Sequence, residues 1–339
     1  MKRKITALLV CCLCLTGCAP DTIGKNAIET TQNIFAMDTY MTVTAYGEHG
    51  KEAVEEAVAE IERLDSLLST GNEKSEVSEI NQKGGGTLSA DTAFLWQKSM
   101  EVYEKTDGAF DVTIYPVMKA WGFADGNYTV PSGDELQELL KRVDSSKAVY
   151  DAETGLLTLP QEAEIDFGGI AKGYTAERVA EIMKAAGVES GMLNLGGNVE
   201  LIGKKPDGSR FHIAIQSPEH DENYLGILEV SDTAVITSGG YERYFEKNGI
   251  TYHHIIEPAT GYPAQNGLLS VTIVSKDATL ADAYSTSLFV MGTQKAIDFW
   301  KAHKDEFEAV LLTSEGELFI TKGLEKIFYS QREYKIIEG

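Results

Sequence analysis

A glycine-rich stretch at residues 165–174 has the residue types of a phosphate- and metal-binding turn. It reads Ile-Asp-Phe-Gly-Gly-Ile-Ala-Lys-Gly-Tyr and lies between a predicted strand at residues 156–160 and a predicted helix at residues 175–186. Unpaired amides at the helix start, the helix dipole and Lys172 would attract an anion. Asp166 and the loop carbonyls are hard oxygen ligands that suit magnesium. A plain glycine-rich strand-to-helix turn fits the same residues, so this stretch alone does not decide between the two.

A second group of candidate ligands lies in residues 278–292, a mostly apolar segment of small residues that we predict to be a helix. Asp282 and Thr286 are four residues apart and therefore share a helix face, where a carboxylate and a hydroxyl can bind one ion together. A carboxylate in so apolar a helix needs a partner. A capping or salt-bridged aspartate is the alternative interpretation.

Two adjacent histidines, His253 and His254, stand apart from the chain's other four, which occur singly. Successive residues of a strand face opposite ways, so at most one of the pair should enter a given pocket. No cysteine and no third histidine lies nearby in the sequence to complete a zinc site. The pair therefore disfavours zinc.

Two further stretches each allow a structural and a functional interpretation. Residues 108–123 combine glycines, an acid, a threonine and aromatic rings, which could form one wall of a heterocycle pocket or an aromatic core cluster. Residues 191–200 read as a strand broken by Gly196 and Gly197. The break predicts either a bulge in the core sheet or a ligand contact.

The start of the chain is typical of an export signal. Three basic residues at positions 2–4 precede an apolar run at residues 5–15, which is too short to span a bilayer. Leu-Thr-Gly-Cys at residues 15–18 resembles a bacterial lipobox, which predicts removal of residues 1–17 and lipidation of Cys18. The mature protein would then be extracytoplasmic and anchored to the cell membrane by acyl chains. An ordinary secretory cleavage site is the alternative.

Cysteine usage and charge constrain stability and partners. Apart from Cys18, the chain's three cysteines lie in the leader, so the mature chain can form no internal disulfide. The formal net charge of −22 should repel nucleic acid and anionic lipid headgroups. An anionic ligand would therefore need a local cation, which is one reason to expect a metal site. Solubility explains the bulk charge equally well.

The pattern of predicted elements favours an α+β fold. We predict a short tether at residues 18–32 and one domain at residues 33–339, beginning with a strand at residues 35–46. Short strands in the second half follow one another without intervening helices, which disfavours a parallel dinucleotide-binding fold. We expect largely antiparallel sheets with flanking helices, in two lobes with the cofactor cleft between them.

These stretches occur in the order seen in a known family. The motifs are Met-Asp-Thr at 37–39, Ser-Glu at 75–76 with Asn81, Gly-Ala-Phe-Asp at 108–111, Trp-Gly-Phe at 121–123, residues 166–173, 194–197, Thr-Ser-Gly at 237–239, residues 254–261 and residues 281–286. Over nearly the whole mature chain the sequence resembles the ApbE family of FAD:protein FMN transferases. The sequence departs from the family pattern at Asp38, where glycine is usual, and at Gly71, where an aromatic residue is common.

The resemblance implies a T-fold-like architecture, a chemistry and a set of site residues. It implies magnesium-dependent transfer of the FMN half of FAD to a threonine or serine hydroxyl of an acceptor protein, with release of AMP. The positions that match FAD contacts are Met37, Ala109, Phe110, Asp111, Asp166, Lys172 and His253. The positions that match metal ligands are the Gly169 carbonyl, Asp282 and Thr286, together with the Ser285 carbonyl.

The catalytic residues implied by the resemblance are Asp282 and His254, which would lie close to the phosphates. Either His254 or a metal-bound carboxylate could serve as general base, and the sequence does not choose between them. An FAD pyrophosphatase would use the same site with water as the nucleophile. A flavin-binding lipoprotein without catalysis is the third possibility.

Overall fold

The computed structural model describes residues 28–218 and 224–339. Its strands are β1 Glu29–Ala36, β2 Thr39–Tyr46, β3 Gly85–Thr87, β4 Val149–Asp151, β5 Leu156–Thr158, β6 Ser190–Leu195, β7 Asn198–Gly203, β8 Phe211–Gln216, β9 Tyr224–Val230, β10 Ala234–Gly239, β11 Tyr244–Lys247, β12 Ile250–His253, β13 Leu268–Ser275, β14 Glu308–Thr313, β15 Leu318–Thr321, β16 Phe328–Tyr329 and β17 Tyr334–Ile337. Its helices are α1 Gly50–Leu68, α2 Glu76–Lys83, α3 Ala90–Lys105, α4 Tyr115–Trp121, α5 Gly133–Leu140, α6 Ala171–Ala185, α7 Ala278–Met291 and α8 Thr293–Ala302.

A nine-stranded sheet forms the centre of the molecule, in the order β1-β2-β6-β7-β10-β13-β14-β15-β17. Every neighbouring pair in it is antiparallel except β15 and β17, which run parallel. Valine, isoleucine and threonine are frequent in the central strands, because branched side chains pack well on a pleated surface. The predicted α+β class with largely antiparallel sheets is confirmed.

Helices cover one face of this sheet and a smaller sheet covers part of the other. Helices α1, α6 and α7 pack against the sheet and share the largest hydrophobic core with it. Strands β16, β9 and β8 form a three-stranded sheet over a second core on the opposite face. Each strand therefore buries both of its faces where the layers overlap.

A smaller aromatic cluster forms the second lobe, around Trp121 and Phe123. Their rings pack against the two-stranded sheet of β11 and β12, whose Phe245 and Tyr252 stack on each other at 5.3 Å. The indole N–H of Trp121 donates to the Gly261 carbonyl at 2.7 Å, which satisfies its only polar atom. The aromatic residues between positions 108 and 123 are therefore mostly core residues, as the structural interpretation of that stretch predicted.

The domain begins earlier than the sequence predicted. Residues 29–32 belong to β1 and pair with β2, so the predicted tether at residues 18–32 is wrong at its end, and its residues up to 27 lie outside the described part. The single strand predicted at residues 35–46 is in fact the end of β1, a tight turn and β2. Met37 and Asp38 form that turn with φ of 49° and 59°, a left-handed pair that matches the twist of a two-residue hairpin. Residues 1–17 and Cys18 also lie outside the described residues.

Three further elements differ from prediction. The polar residues 69–82, for which no helix was predicted, contain α2, whose first turn is capped by Ser75 accepting a hydrogen bond from the Ser78 amide. The break at Gly196 and Gly197 is the turn of the β6–β7 hairpin, with φ of 68° and 99°, and not a bulge. The helix predicted at residues 278–292 is confirmed as α7, but α8 was not predicted, and the two helices interrupt the strands of the second half. The sheet stays antiparallel because β14 returns beside β13.

Candidate active site

The glycine turn leads directly into α6 and exposes a carboxylate beside the helix start. The Asp166 amide donates to the Val112 carbonyl at 2.8 Å, and Asp166 Oδ1 accepts from the Gly168 amide at 2.9 Å. The surrounding protein removes enough water from this partly exposed carboxyl to raise its pKa, although the Gly168 amide, Arg243 and Lys172 oppose the rise. Asp166 thus lies where a cation or a hydrogen-bond donor would be stabilised.

Lys172 supplies the positive charge at this turn. It is the second residue of α6, is partly exposed and forms no ion pair with another described residue. Its ammonium group interacts electrostatically with Asp166, Glu242 and His254, which lie on different segments of the chain. A cation in the first turn of a helix that forms no close ion pair is well placed to hold a phosphate.

Asp282 is buried and held from two sides. Its Oδ2 accepts from the Gly173 amide at 2.8 Å and its Oδ1 accepts from Asn198 Nδ2 at 2.9 Å, while the residue is only 3% exposed. A Cβ on Gly173 would lie 2.2 Å from the Ala278 carbonyl oxygen, so only glycine lets α6 approach α7 this closely. The close approach of the helices is what points the carboxylate at the glycine turn.

Thr286 completes the α7 contribution to the site. From Ala278 to Val290 it is the only residue that is not buried. A Cβ on Gly169 would lie 3.8 Å from Thr286 Oγ1, so the glycine turn and α7 are in contact, as the metal-site hypothesis required. Ser238 on β10 also reaches Thr286, at 3.4 Å between hydroxyl oxygens.

Ser285 is less available than Thr286. Its side chain is fully buried, donates to the Asp282 carbonyl at 2.8 Å and lies 2.8 Å from the Ser238 hydroxyl. Its carbonyl lies inside α7, where helix carbonyls accept amides one turn later. Coordination by the Ser285 carbonyl stays a prediction, and the geometry favours Thr286.

The donor set fits magnesium and not zinc. A carboxylate, a hydroxyl and backbone carbonyls are all hard oxygen ligands. No cluster of three histidine, cysteine or acidic side chains able to hold a metal occurs in residues 28–218 and 224–339. Magnesium commonly binds proteins through one or two carboxylates and takes its other ligands from phosphate and water. The residues present therefore suit an ion that arrives with a diphosphate.

The two adjacent histidines are held in opposite tautomers. His254 Nδ1 lies 3.1 Å from the Arg243 carbonyl and His253 Nε2 lies 2.9 Å from the Ala264 carbonyl. A carbonyl only accepts, so His254 carries its proton on Nδ1 and His253 on Nε2. Burial lowers the pKa of both rings, that of His254 to about 3, so His254 is neutral with a free Nε2 lone pair. The neutral ring can accept a proton at Nε2, but a pKa this low makes it a weak base until a nearby negative charge, such as that of a bound diphosphate, raises the pKa.

Arg243 and Glu242 were not assigned a role by the sequence analysis. The Arg243 guanidinium donates to the Phe123 carbonyl and lies 5.9 Å from the centre of the Phe123 ring, and it interacts electrostatically with Asp166. The Glu242 carboxylate interacts with Lys172 and Asp282. Their only sequence signal is the glycine-rich turn at residues 237–244, which places polar residues directly after a strand.

The predicted flavin contacts near the first half of the chain surround the same turn. The Phe110 ring packs on Gly169, where an added Cβ would lie 3.0 Å from the ring. Met37 lies at the β1–β2 turn, with its sulfur 3.7 Å from Thr175 Oγ1 on α6. Ala109 is partly buried beside Phe110. Their contact with FAD stays a prediction, and the structure brings all three to the start of α6.

Asp111 stabilises a loop through hydrogen bonds that the sequence did not predict. Its carboxylate accepts from the Thr113 amide and hydroxyl at 2.8 and 2.6 Å and from the Ser145 hydroxyl and amide at 2.5 and 3.2 Å. These four donors leave little capacity for a ligand. The side chain holds the loop that carries Phe110, so any contact with FAD would come mainly from the backbone around it.

A cavity of about 620 Å³ opens beside His253. It is bounded on one side by the β11–β12 hairpin and on the other by Phe289 of α7, and Tyr241 and Tyr244 contribute two further rings. An apolar, aromatic-lined cavity of this size accepts a planar heterocycle. The space around Gly71 is open, since an added Cβ would meet only Ser69 Oγ at 3.8 Å.

Comparison with known proteins identifies the family. The model of the ApbE family matches residues 37–311. The FAD:protein FMN transferase of Klebsiella pneumoniae is 33% identical over 266 residues, which cover 77% of this chain and 82% of that protein. The enzyme of the same name from Haemophilus influenzae is 29% identical and covers 95% of this chain and 96% of its own length.

Solved structures agree with the sequence comparison. The ApbE protein of Thermotoga maritima superposes with a TM-score of 0.84 at 30% identity, covering 90% of this chain and all of that chain. The flavin transferase ApbE of Vibrio cholerae gives a TM-score of 0.80 at 26% identity, covering 89% and 99%. The chain belongs to the ApbE family. The predicted resemblance and its fold are confirmed.

Proposed function

We propose that this protein transfers the FMN moiety of FAD to a threonine or serine hydroxyl of an acceptor protein and releases AMP, in a magnesium-dependent reaction. The observation that carries the proposal is the contact between the glycine turn and α7. It joins a buried, doubly hydrogen-bonded Asp282 to a helix start that carries Lys172. The relatives named FAD:protein FMN transferase support the same assignment.

Lys172 and Arg243 would hold the diphosphate of FAD at the start of α6. The two cationic side chains reach Asp166 from different segments, so they flank one space. Asp282, Thr286 and the Gly169 carbonyl would hold magnesium. When bound, the ion neutralises diphosphate charge and stabilises the charge that develops on phosphorus-bound oxygens. In a protein of net charge −22, these groups provide the local positive potential that an anionic substrate needs.

His254 is the general base that the geometry favours. Its Nε2 lone pair is free because Nδ1–H donates to the Arg243 carbonyl. The acceptor hydroxyl gives its proton to this nitrogen while its oxygen forms a bond to the phosphorus on the FMN side. The bond from that phosphorus to the bridging oxygen breaks, and AMP leaves with that oxygen. The products are a phosphoester of FMN on the acceptor, AMP and one proton.

The two ring systems of FAD would lie on opposite sides of the diphosphate. The aromatic-lined cavity beside His253 is large enough for one of them. Phe110 and Met37 lie on the other side, beside Gly169 and α6. Gly71 supplies no stacking ring.

Incubation of the purified mature protein with FAD, magnesium and a tagged carrier tests the function. The tagged carrier is a monomeric protein with an extended tag in which a single threonine follows an aspartate and precedes a glycine. Transfer predicts a covalent gain of one FMN on the carrier and an equal amount of AMP, both lost with EDTA or with threonine replaced by valine. Free FMN plus AMP without carrier modification would indicate a pyrophosphatase instead, and unchanged FAD would indicate binding alone.

We also propose that the protein is an extracytoplasmic lipoprotein attached to the cell membrane through Cys18. The lipobox-like residues 15–18 and the preceding apolar run support this localisation. None of the helices in residues 28–218 and 224–339 is both long and apolar enough to span a bilayer. Mass spectrometry of the wild-type protein should find Cys18 as the first residue with a lipid attached, and Cys18→Ser should carry no lipid. A wild-type Cys18 without lipid would contradict the proposal.

A further inference from the structure

The outer face of the β1–β2 hairpin carries an unusual aromatic pair. Phe35 and Tyr40 face each other across the two strands with ring centres 5.1 Å apart and planes at 71°, and they are 63% and 80% exposed. On the same face, Thr42 donates to Asn33 Oδ1 at 2.7 Å. We call these four residues the hairpin face. Exposed aromatic rings that adjoin each other are typical of protein interfaces.

The hairpin also provides a free sheet edge. Among the described residues, strand β1 lies at the end of the nine-stranded sheet and pairs only with β2, through eight consecutive residues without a bulge. Natural sheets usually protect such an edge with lysine, proline or a bulge. Glu29 begins β1 and Asp38 lies in the turn, but residues 30–37 and 39–46 contain no charged residue and no proline. In a protein of net charge −22, the middle of this edge is therefore a neutral stretch.

The hairpin ends at the active site. Its turn is anchored there because the Met37 amide donates to Asp65 Oδ1 at 3.0 Å and the Met37 sulfur contacts Thr175 on α6. Asp38, the other turn residue, interacts electrostatically with Asp166. A chain that follows β1 toward its C-terminal end therefore arrives at the glycine turn.

We propose that the hairpin face and the free edge of β1 dock the acceptor protein, as an extended segment of low charge that adds to β1 as a strand. Main-chain hydrogen bonds to the edge would hold the segment, and Phe35 and Tyr40 would cover its apolar side chains. The hydroxyl to be modified follows at the turn, beside the diphosphate. The neutral surface matters because an acidic protein surface would repel any acceptor segment that carries its own carboxylate. This inference rests on the proposed transferase function.

The docking site is tested by Phe35→Ser combined with Tyr40→Ser. Removing both rings should raise the KM for the tagged carrier at least about tenfold, because interface aromatic residues commonly contribute more than 1 kcal/mol each. FAD affinity and kcat at saturating carrier should change little. Tyr224→Ser is the matched control, since that ring is 57% exposed on the three-stranded sheet. It should leave the KM unchanged.

Two charge variants test the edge itself. Asn33→Lys and Asn33→Glu place opposite charges on the same position of β1, and both should bind a tagged carrier less well when its residues upstream of the aspartate are uncharged. Opposite effects of the two variants would mean that ordinary charge attraction guides the acceptor and would overturn strand addition. A melting temperature within a few degrees of wild type shows that each variant is folded.

The outcomes separate this inference from the proposed function. Wild-type protein is assayed first, and if it modifies no carrier the transferase proposal itself has failed. If wild type transfers FMN and the double variant keeps the wild-type KM, the docking site is wrong. If the double variant instead loses binding to vesicles of phosphatidylcholine and phosphatidylglycerol with an unchanged KM, the rings contact a membrane and the inference is overturned.

Discussion

The two halves of the site are held in place by different means. Asp282 and Thr286 lie on a helix that is buried on nearly all sides, and Asp282 is fixed by two hydrogen bonds from neighbouring elements. Arg243 directly precedes and His254 directly follows the small two-stranded sheet of β11 and β12, and both are fixed mainly by backbone carbonyls. Core packing therefore fixes the positions of Asp282 and Thr286, the first half of the site. The β11–β12 hairpin fixes the positions of His254 and Arg243, the second half. Substitutions should therefore affect stability and activity together in the first half and separately in the second.

Asp282→Asn should have the largest effect. The amide keeps the shape of the side chain but loses the negative charge that would hold magnesium, so transfer should fall about a thousandfold. One of its atoms becomes a donor that faces the Gly173 amide or Asn198, so the melting temperature should fall as well. Both are measured by AMP release and by thermal denaturation. Transfer near the wild-type rate would remove Asp282 from the site.

His254→Gln should reduce kcat by about a hundredfold or more while leaving the fold intact, because a general base typically contributes that much. Magnesium affinity should stay unchanged, which distinguishes this half from the Asp282 half. A loss of magnesium affinity equal to that of Asp282→Asn would contradict the division.

The pH dependence follows from the same histidine. The pKa of His254 is lowered to about 3, chiefly by burial, so the free enzyme keeps the ring neutral and kcat/KM should show no loss from this group between about pH 6 and 8. The unfolded chain takes up this proton near pH 6.5, so wild type should lose stability relative to His254→Gln as the pH falls below that value. Urea unfolding at pH 8 and pH 5 measures the difference. A fall in kcat/KM centred near pH 6.5 would show an ordinary, solvated imidazole.

Asn198→Ala should weaken magnesium binding by about 10- to 100-fold, since a residue that orients a metal ligand commonly has effects of this size. It removes the donor to Asp282 Oδ1 and leaves that oxygen without its partner. Transfer at saturating magnesium should recover much of the wild-type rate. Asn194→Ala is the control, because Asn194 is exposed and only accepts from the Gly197 amide within the turn. An equal effect of both variants would mean that the turn matters and not the contact with Asp282.

Asp38→Gly should have the smallest effect and the opposite sign. Asp38 has a φ of 59°, so glycine relieves backbone strain and should stabilise the protein by up to about 1 kcal/mol. It also removes a negative charge that helps to raise the pKa of Asp166, so FAD should bind somewhat more tightly. Asp107→Gly is the matched control, with a φ of 52°. Asp107→Gly should stabilise the fold without changing FAD affinity. A change in FAD affinity in this control would point to a general effect of charge.

The sequence predicted the residues that form the site better than the residues that hold them in position. The glycine turn, the acid and threonine of α7 and the histidine pair were all visible, because glycine clusters and carboxylates in apolar helices are costly unless something requires them. Asn198 and Arg243 were not assigned roles. Their contacts join residues 84 and 120 positions apart, and no local pattern encodes such a contact.

The errors in the fold have the same origin. The predicted long strand at residues 35–46 is a hairpin because Met37 and Asp38 adopt a left-handed turn without a glycine, which is uncommon for such residues. Helix α2 was missed because its eight residues are mostly polar, and its cap at Ser75 is the main local signal. In each case tertiary contacts stabilise a local conformation that residue preferences alone make weak.

The amino-acid sequence by itself determined the family, the antiparallel α+β class and the list of residues with the right chemistry, because residue type, order and periodicity are local properties. Only the tertiary structure decided that Asp282 accepts from Gly173 and Asn198, that His254 keeps Nε2 free and that the β1 edge leads to the glycine turn. Those outcomes depend on how closely two helices approach and on which carbonyl faces a ring. Such distances are set by packing across the whole core.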